Sequence, residues 1–179
     1  CDIASELAAN PLDIDINNLG SNINQRLSDN GTAFQDETLY FQSTESMPTG
    51  KKIKVKGNKA TYDSLFQIRM YKSNRDESGQ WSQKQAVPIE INAREYNVGS
   101  PSISYDGSKM YFTVCQTINE STICNIYVSA FEGSGWGKPE KLKEINSKIS
   151  STKHPYAFFD EATQKEYLLY ISNKSGGLG

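Results

Sequence analysis

The chain repeats itself, and the repeat limits the fold more than any other property of the sequence. Ile-Asn pairs stand at Ile23-Asn24, Ile91-Asn92 and Ile145-Asn146, 68 and then 54 residues apart. A tryptophan precedes the second pair by ten positions (Trp81) and the third by nine (Trp136). After the pairs come related segments, GTAFQDETLYFQST, SPSISYDGSKMYFTVC and HPYAFFDEATQKEYLLYIS. LFQIRMYKS in the first unit matches CNIYVSAFE in the second. Apolar and polar residues alternate through these segments, which is the signature of strands with one face buried.

The turns divide each unit further. Asp106-Gly107 predicts a tight hairpin, because Gly accepts the positive φ that such a turn demands. A second hairpin is expected to join MYFTVC to CNIYVS through residues 116–123. A Gly-rich turn and a short strand starting near Trp136 follow. Four strands at a period of about fifty residues predict β-propeller blades around a channel. The alternative is a β-sandwich whose hairpins resemble one another.

This reading gives an all-β fold, a partial β-propeller of four-stranded antiparallel blades. Blades are expected over residues 23–90 and 91–144, with an incomplete one over 145–179. The extra length of the first unit is an insertion at 45–63. PLDIDINNLGSNIN reads as an N-terminal closing strand over 11–22, so residues 11–179 form the N-terminal half of a propeller. Residues 1–10, with Ala and Leu at helical spacing, read as the end of a preceding helical segment or a linker.

The motifs GSPSISYDGSKMYF, CNIYVS, GWGKPEKLKEIN and SNKSGGLG resemble the WD-like, TolB-type propeller repeats of Bacteroidota cell-envelope proteins. The resemblance covers residues 11–179. The first unit departs from it, with FQDETLYF in place of the Asp-Gly turn, and the third has the longer FFDEATQKEYLLY. In that family the propeller often follows helical repeats and precedes an OmpA-family peptidoglycan-binding domain, and some members serve type nine secretion and gliding. The resemblance therefore implies a periplasmic, outer-membrane-associated scaffold. Its partners would be other envelope proteins, with peptidoglycan reached through a domain outside this chain.

Cys115 and Cys124 fall on adjacent antiparallel strands, where opposed Cα atoms lie close enough for a disulfide. Closing that short loop would stabilise the fold by about 2–3 kcal/mol. A disulfide points to an oxidising compartment, the periplasm or the cell exterior. Two buried free thiols in a cytosolic sheet are the alternative. Cys1 has two readings, the lipidated first residue of a mature lipoprotein or an arbitrary boundary, and the helix-like ASELAAN is not the usual flexible tether.

Catalytic chemistry is not visible. His154 is the one histidine; it precedes Pro155 at the start of a strand, where a structural role fits better than a catalytic one. Clustered Cys and His for zinc are lacking. Asp13, Asp15 and Asn17 imitate the start of a calcium loop, but Asn18 and Asn24 occupy the places of its Gly and Glu. Strand alternation accounts for them, with Ile14 and Ile16 on one face. No cofactor and no metal are expected, and the chain is not read as an enzyme. A net charge of −2 gives no reason to expect nucleic acid, and no apolar run is long enough for a direct membrane span.

The insertion is the most distinctive surface feature. GKKIKVKGNK carries Lys51, Lys52, Lys54, Lys56 and Lys59 and no acid. One reading is a solvated loop whose lysines discourage edge pairing. The other is a contact for an acidic partner or anionic envelope polymer. The function expected is a non-catalytic interaction scaffold. Alternatives are the accessory propeller of an envelope enzyme, peptidase-like, whose catalytic domain lies elsewhere, and a carbohydrate-binding propeller.

Overall fold

A computed structural model describes residues 2–11, 13–54, 60–93, 95–118 and 121–176. Among these residues one short helix, α1 (Asp2–Ala9), precedes ten strands, and every strand pairing is antiparallel. The first sheet holds β1 (Asp29–Gln35), β2 (Thr38–Lys54), β3 (Ala60–Asn74) and β4 (Gln85–Ala86), in that spatial order. The second repeats it with β5 (Asn97–Ile103), β6 (Lys109–Ile118), β7 (Ser121–Ala130) and β8 (Glu140–Lys141). A two-stranded sheet of β9 (Thr152–Asp160) and β10 (Lys165–Ser172) follows. The protein is all-β in its sheets, and among the described residues no sheet closes on itself.

Alternation explains how the sheets stack. Tyr40 and Met70 leave one face of the first sheet and meet Val98, Met110, Phe112 and Trp136 of the second. Leu39, Phe41 and Tyr71 leave the opposite face and pack with Ile23 and Trp81. The second sheet turns Met110 and Phe112 toward the first. Its other face sends Thr113 toward β9, where the Thr113 hydroxyl accepts the His154 N–H at 2.9 Å. Phe112, Met110, Met70 and Val98 are fully enclosed, so this inter-sheet layer is the main core. Burying each such side chain stabilises the fold by about 1.5–3 kcal/mol.

Three local expectations are corrected. Residues 13–20 form no strand, and Ile14 and Ile16 are both exposed. The Asn-rich segment bonds to itself instead: Gly20 N–H to Asn18 Oδ1 at 2.8 Å, and Ile23 and Asn24 N–H to the Gly20 carbonyl. Alternation without a neighbouring strand does not hold a ladder, and Asn side chains offer the backbone a turn. The Asp106-Gly107 turn is wider than two residues, because Ser104 and Lys109 close it through N–H···O=C at 2.9 Å. Asp106 caps that loop by accepting from the Ser104 and Ser108 hydroxyls, both at 2.7 Å, and from the Ser108 N–H. These bonds, the Ser104 hydroxyl foremost, hold its carboxyl at about 2. Lastly, β6 and β7 stay paired as far as Ile118↔Ser121, well into the expected loop 116–123. The Thr117 and Thr122 hydroxyls bond across the pair at 2.8 Å.

The insertion lengthens β2 and β3 beyond the other hairpins. They pair out to Lys54↔Ala60, with a register shift between Pro48 and Lys52.

Candidate functional site

The first strand of each unit carries the same irregularity. Register slips between Asn30 and Ala33 on β1 and between Gly99 and Ser102 on β5. In the third unit the same slip falls opposite Leu169 and Ile171, between Lys153 and Tyr156 on β9. One residue in each bulge has positive φ: Gly31 at 60°, Ser100 at 51° and His154 at 54°. Only glycine takes that conformation without cost, and His154 also precedes Pro155, which restricts its backbone further.

Those bulges lock one unit to the next. The Ser100 N–H donates to Gln42 Oε1 of the first sheet at 2.8 Å. In the equivalent place the His154 N–H donates to Thr113 Oγ1 of the second. The Ser100 hydroxyl then meets His154 Nδ1 at 2.9 Å, and Gln42 Nε2 donates to Asn30 Oδ1. A continuous polar row thus crosses three sheets. Burial, with the Lys153 charge adding to it, lowers the His154 pKa below its ordinary 6.5. Gly99 makes room for the row, since a Cβ there would lie 2.1 Å from Gln42 Oε1.

Ser100 faces Nδ1 of the ring, and among the described contacts no carboxylate orients the other nitrogen. The arrangement positions backbone.

The Ile-Asn pairs have a second, repeated task. Asn92 accepts the Met70 N–H at 2.9 Å and donates to the Met70 carbonyl at 2.7 Å. Asn146 treats Ile126 the same way, at 2.9 and 2.6 Å. Each side-chain amide imitates one rung of a ladder and pins the connector to the third strand of its sheet. Asn24 accepts from the Leu19 N–H instead, at 3.2 Å.

Cys115 and Cys124 are directly opposed on β6 and β7, with Cα atoms 4.0 Å apart and sulfurs bonded at 2.04 Å. The Cys124 N–H turns away from its partner strand to the Ser151 hydroxyl at 3.1 Å. Of the lysines in the insertion, Lys51, Lys52 and Lys54 lie on the far end of β2, while Lys56 and Lys59 fall outside the described residues. The two tryptophans differ. Trp136 is buried edge-on against Tyr40 of the neighbouring sheet, centroids 5.9 Å apart, whereas Trp81 lies against Phe34 and Arg75 of its own.

Reading the chain one residue at a time misses Gln42, Ser100 and Thr113. The signal is present in the repeat itself, since GTAF, SPSI and HPYA align Gly31, Ser100 and His154. Among the described residues no group of three or more His, Cys, Asp or Glu is placed to hold a metal. Among the described residues no helix is long and apolar enough to cross a membrane. No protein-family model and no curated protein matches the chain.

Proposed function

We propose that the sheets are blades of a β-propeller and that the chain serves as a non-catalytic interaction platform in a cell-envelope assembly. The observation that carries this reading is the repeated coupling of inner strands. The bulges of β5 and β9 each donate an N–H to the second strand of the preceding sheet, so successive units stack in one direction with their first strands side by side. Radial stacking of four-stranded units is what a propeller requires.

The hairpin of the third unit adds support. Tyr156, Tyr167, Leu169 and Ile171 leave a largely exposed apolar face, on the side where the first two sheets each receive the next unit. The disulfide supports an oxidising compartment, and the resemblance to envelope propellers supports a periplasmic, outer-membrane-associated setting. Anchoring to peptidoglycan belongs to a domain outside this chain. Fold alone fixes no activity, so the platform reading is tested directly. Cells of the native host are fractionated, thiols are counted before and after reduction, and neighbours are captured by cross-linking. Recovery in the envelope, with two thiols released only by reduction and other envelope proteins attached, is the expected outcome. A cytosolic fraction with free thiols overturns it.

A further inference from the structure

The internal repeat exposes one position where the two complete sheets differ. Arg69 is paired with Ser43 and immediately precedes Met70, the residue bracketed by Asn92. Asn125 is paired with Val114 and immediately precedes Ile126, bracketed by Asn146. The two positions are therefore equivalent. In the first sheet the Arg69 guanidinium spans the gap to the connector, donating to the carbonyls of Asn92 at 2.9 Å and Ala93 at 2.6 Å. It also donates to Gln67 Oε1 at 2.7 Å. That gap is filled.

Asn125 is too short to cross the corresponding gap. A cleft of about 360 Å³ remains between the β6–β7 pair and the following connector, lined by Asn125, Ile123, Ser121, Lys141, Ser147 and Lys148 among others. Asn125 Oδ1 is enclosed without a hydrogen-bond partner, and no hydrogen bond from its amide NH2 is found among the described residues. Two lysines, Lys141 and Lys148, thus line the cleft together with the polar residues Asn125, Ser121 and Ser147 and the apolar Ile123. No salt bridge to Lys141 or Lys148 is found among the described residues.

We propose that this cleft binds a side-chain carboxylate from an acidic peptide segment of a partner protein. Lys141 and Lys148 supply the opposing charge, Asn125 and Ser147 supply hydrogen bonds, and Ile123 receives the methylenes. The assignment rests on the platform reading above and names the chemistry of its partner. Charge-assisted bonds of this kind are stronger than neutral ones and set specificity. A bare inorganic anion would leave Ile123 unused, which is why a peptide carboxylate is favoured over phosphate.

The probe is an acetylated, amidated triglutamate peptide, titrated into the isotope-labelled protein at low salt and followed by NMR. The Asn125 side-chain amide and the Ser147 backbone amide are expected to shift together and to saturate. Lys141→Ala with Lys148→Ala should weaken the peptide about tenfold, a loss of about 1.4 kcal/mol. Asn125→Leu should weaken binding as well, because it removes the amide donor and puts an uncharged, apolar side chain in its place. Should Asn125→Leu fail to fold, the double lysine variant still decides. No shift at Asn125 and Ser147, binding unaltered by the lysine variants, or equal shifts with inorganic phosphate would each overturn the proposal. Cross-linked envelope partners that persist in the double lysine variant would sink this site and leave the platform reading standing.

Discussion

Asn92 and Met70, 22 residues apart, form a closed pair of hydrogen bonds, with the Asn92 side chain standing in for a strand. Asn92 is buried, and its amide also reaches the Val87 carbonyl at 3.4 Å. Replacing it by Ala leaves the Met70 N–H enclosed without a partner and the Met70 carbonyl with only the Val87 N–H, at 3.1 Å. Asn92→Ala is expected to cost about 2–3 kcal/mol, by the penalty for unsatisfied buried groups. Asn24→Ala, at an exposed single bond, should cost less than about 1 kcal/mol. Urea denaturation of the two variants checks the difference, and equal losses would contradict it.

The disulfide closes a short loop, its cysteines nine positions apart in sequence. Reduction, or the double change Cys115→Ser and Cys124→Ser, should lower stability by about 2–3 kcal/mol without changing the fold. Circular dichroism would report the unchanged sheet content, and thermal melts would report the loss. A melting temperature indifferent to reductant would refute this estimate.

His154 gives the protein a weak dependence on pH near neutrality. Its folded pKa lies below 6.5, through burial first and Lys153 second, so the unfolded chain binds the proton more readily. The stabilising contribution is therefore fully present above pH 6.5 and is lost as pH falls through the folded value. Asn tolerates left-handed backbone, so His154→Asn should keep the bulge and remove this slope. Melts of both proteins between pH 5 and pH 8 test it, and parallel curves would exclude His154 as the source.

Gly99 is required for a different reason. A methyl group there meets Gln42 Oε1 at 2.1 Å and Gln42 Cβ at 3.1 Å. Gln42 must swing away, and the Ser100 N–H loses its acceptor. Gly99→Ala should destabilise by about 1–3 kcal/mol. An amide-exchange measurement should show the Ser100 N–H unprotected in this variant and protected in the parent.

Much of the fold is legible in the sequence because alternation and repetition report the same strands. The strands of the three sheets lie within 23–90, 91–144 and 145–179, the bounds set by the Ile-Asn pairs. What alternation hides is context. Ile14 and Ile16 alternate as well as any strand, yet no strand among the described residues pairs with them, and the neighbouring asparagines bond to the backbone locally. Ser104 and Ser108 look like ordinary turn residues beside Asp106-Gly107, but their hydroxyls widen the loop that the dipeptide alone would make tight. The polar row is harder to see, because Gly31, Ser100 and His154 share a backbone conformation and no chemistry. The cleft at Asn125 is legible only by comparison with Arg69, once the structure has fixed which positions correspond.

The covalent rung at Cys115 and Cys124 has three further rungs beyond it, ending at Ile118↔Ser121. A proteolytic nick anywhere in residues 116–123 would therefore leave both severed ends tethered to the same sheet. Fragments would separate on a denaturing gel only after reductant is added. In a milieu rich in extracellular proteases, the tip of this hairpin is expendable, and the sheet beneath it survives the cut.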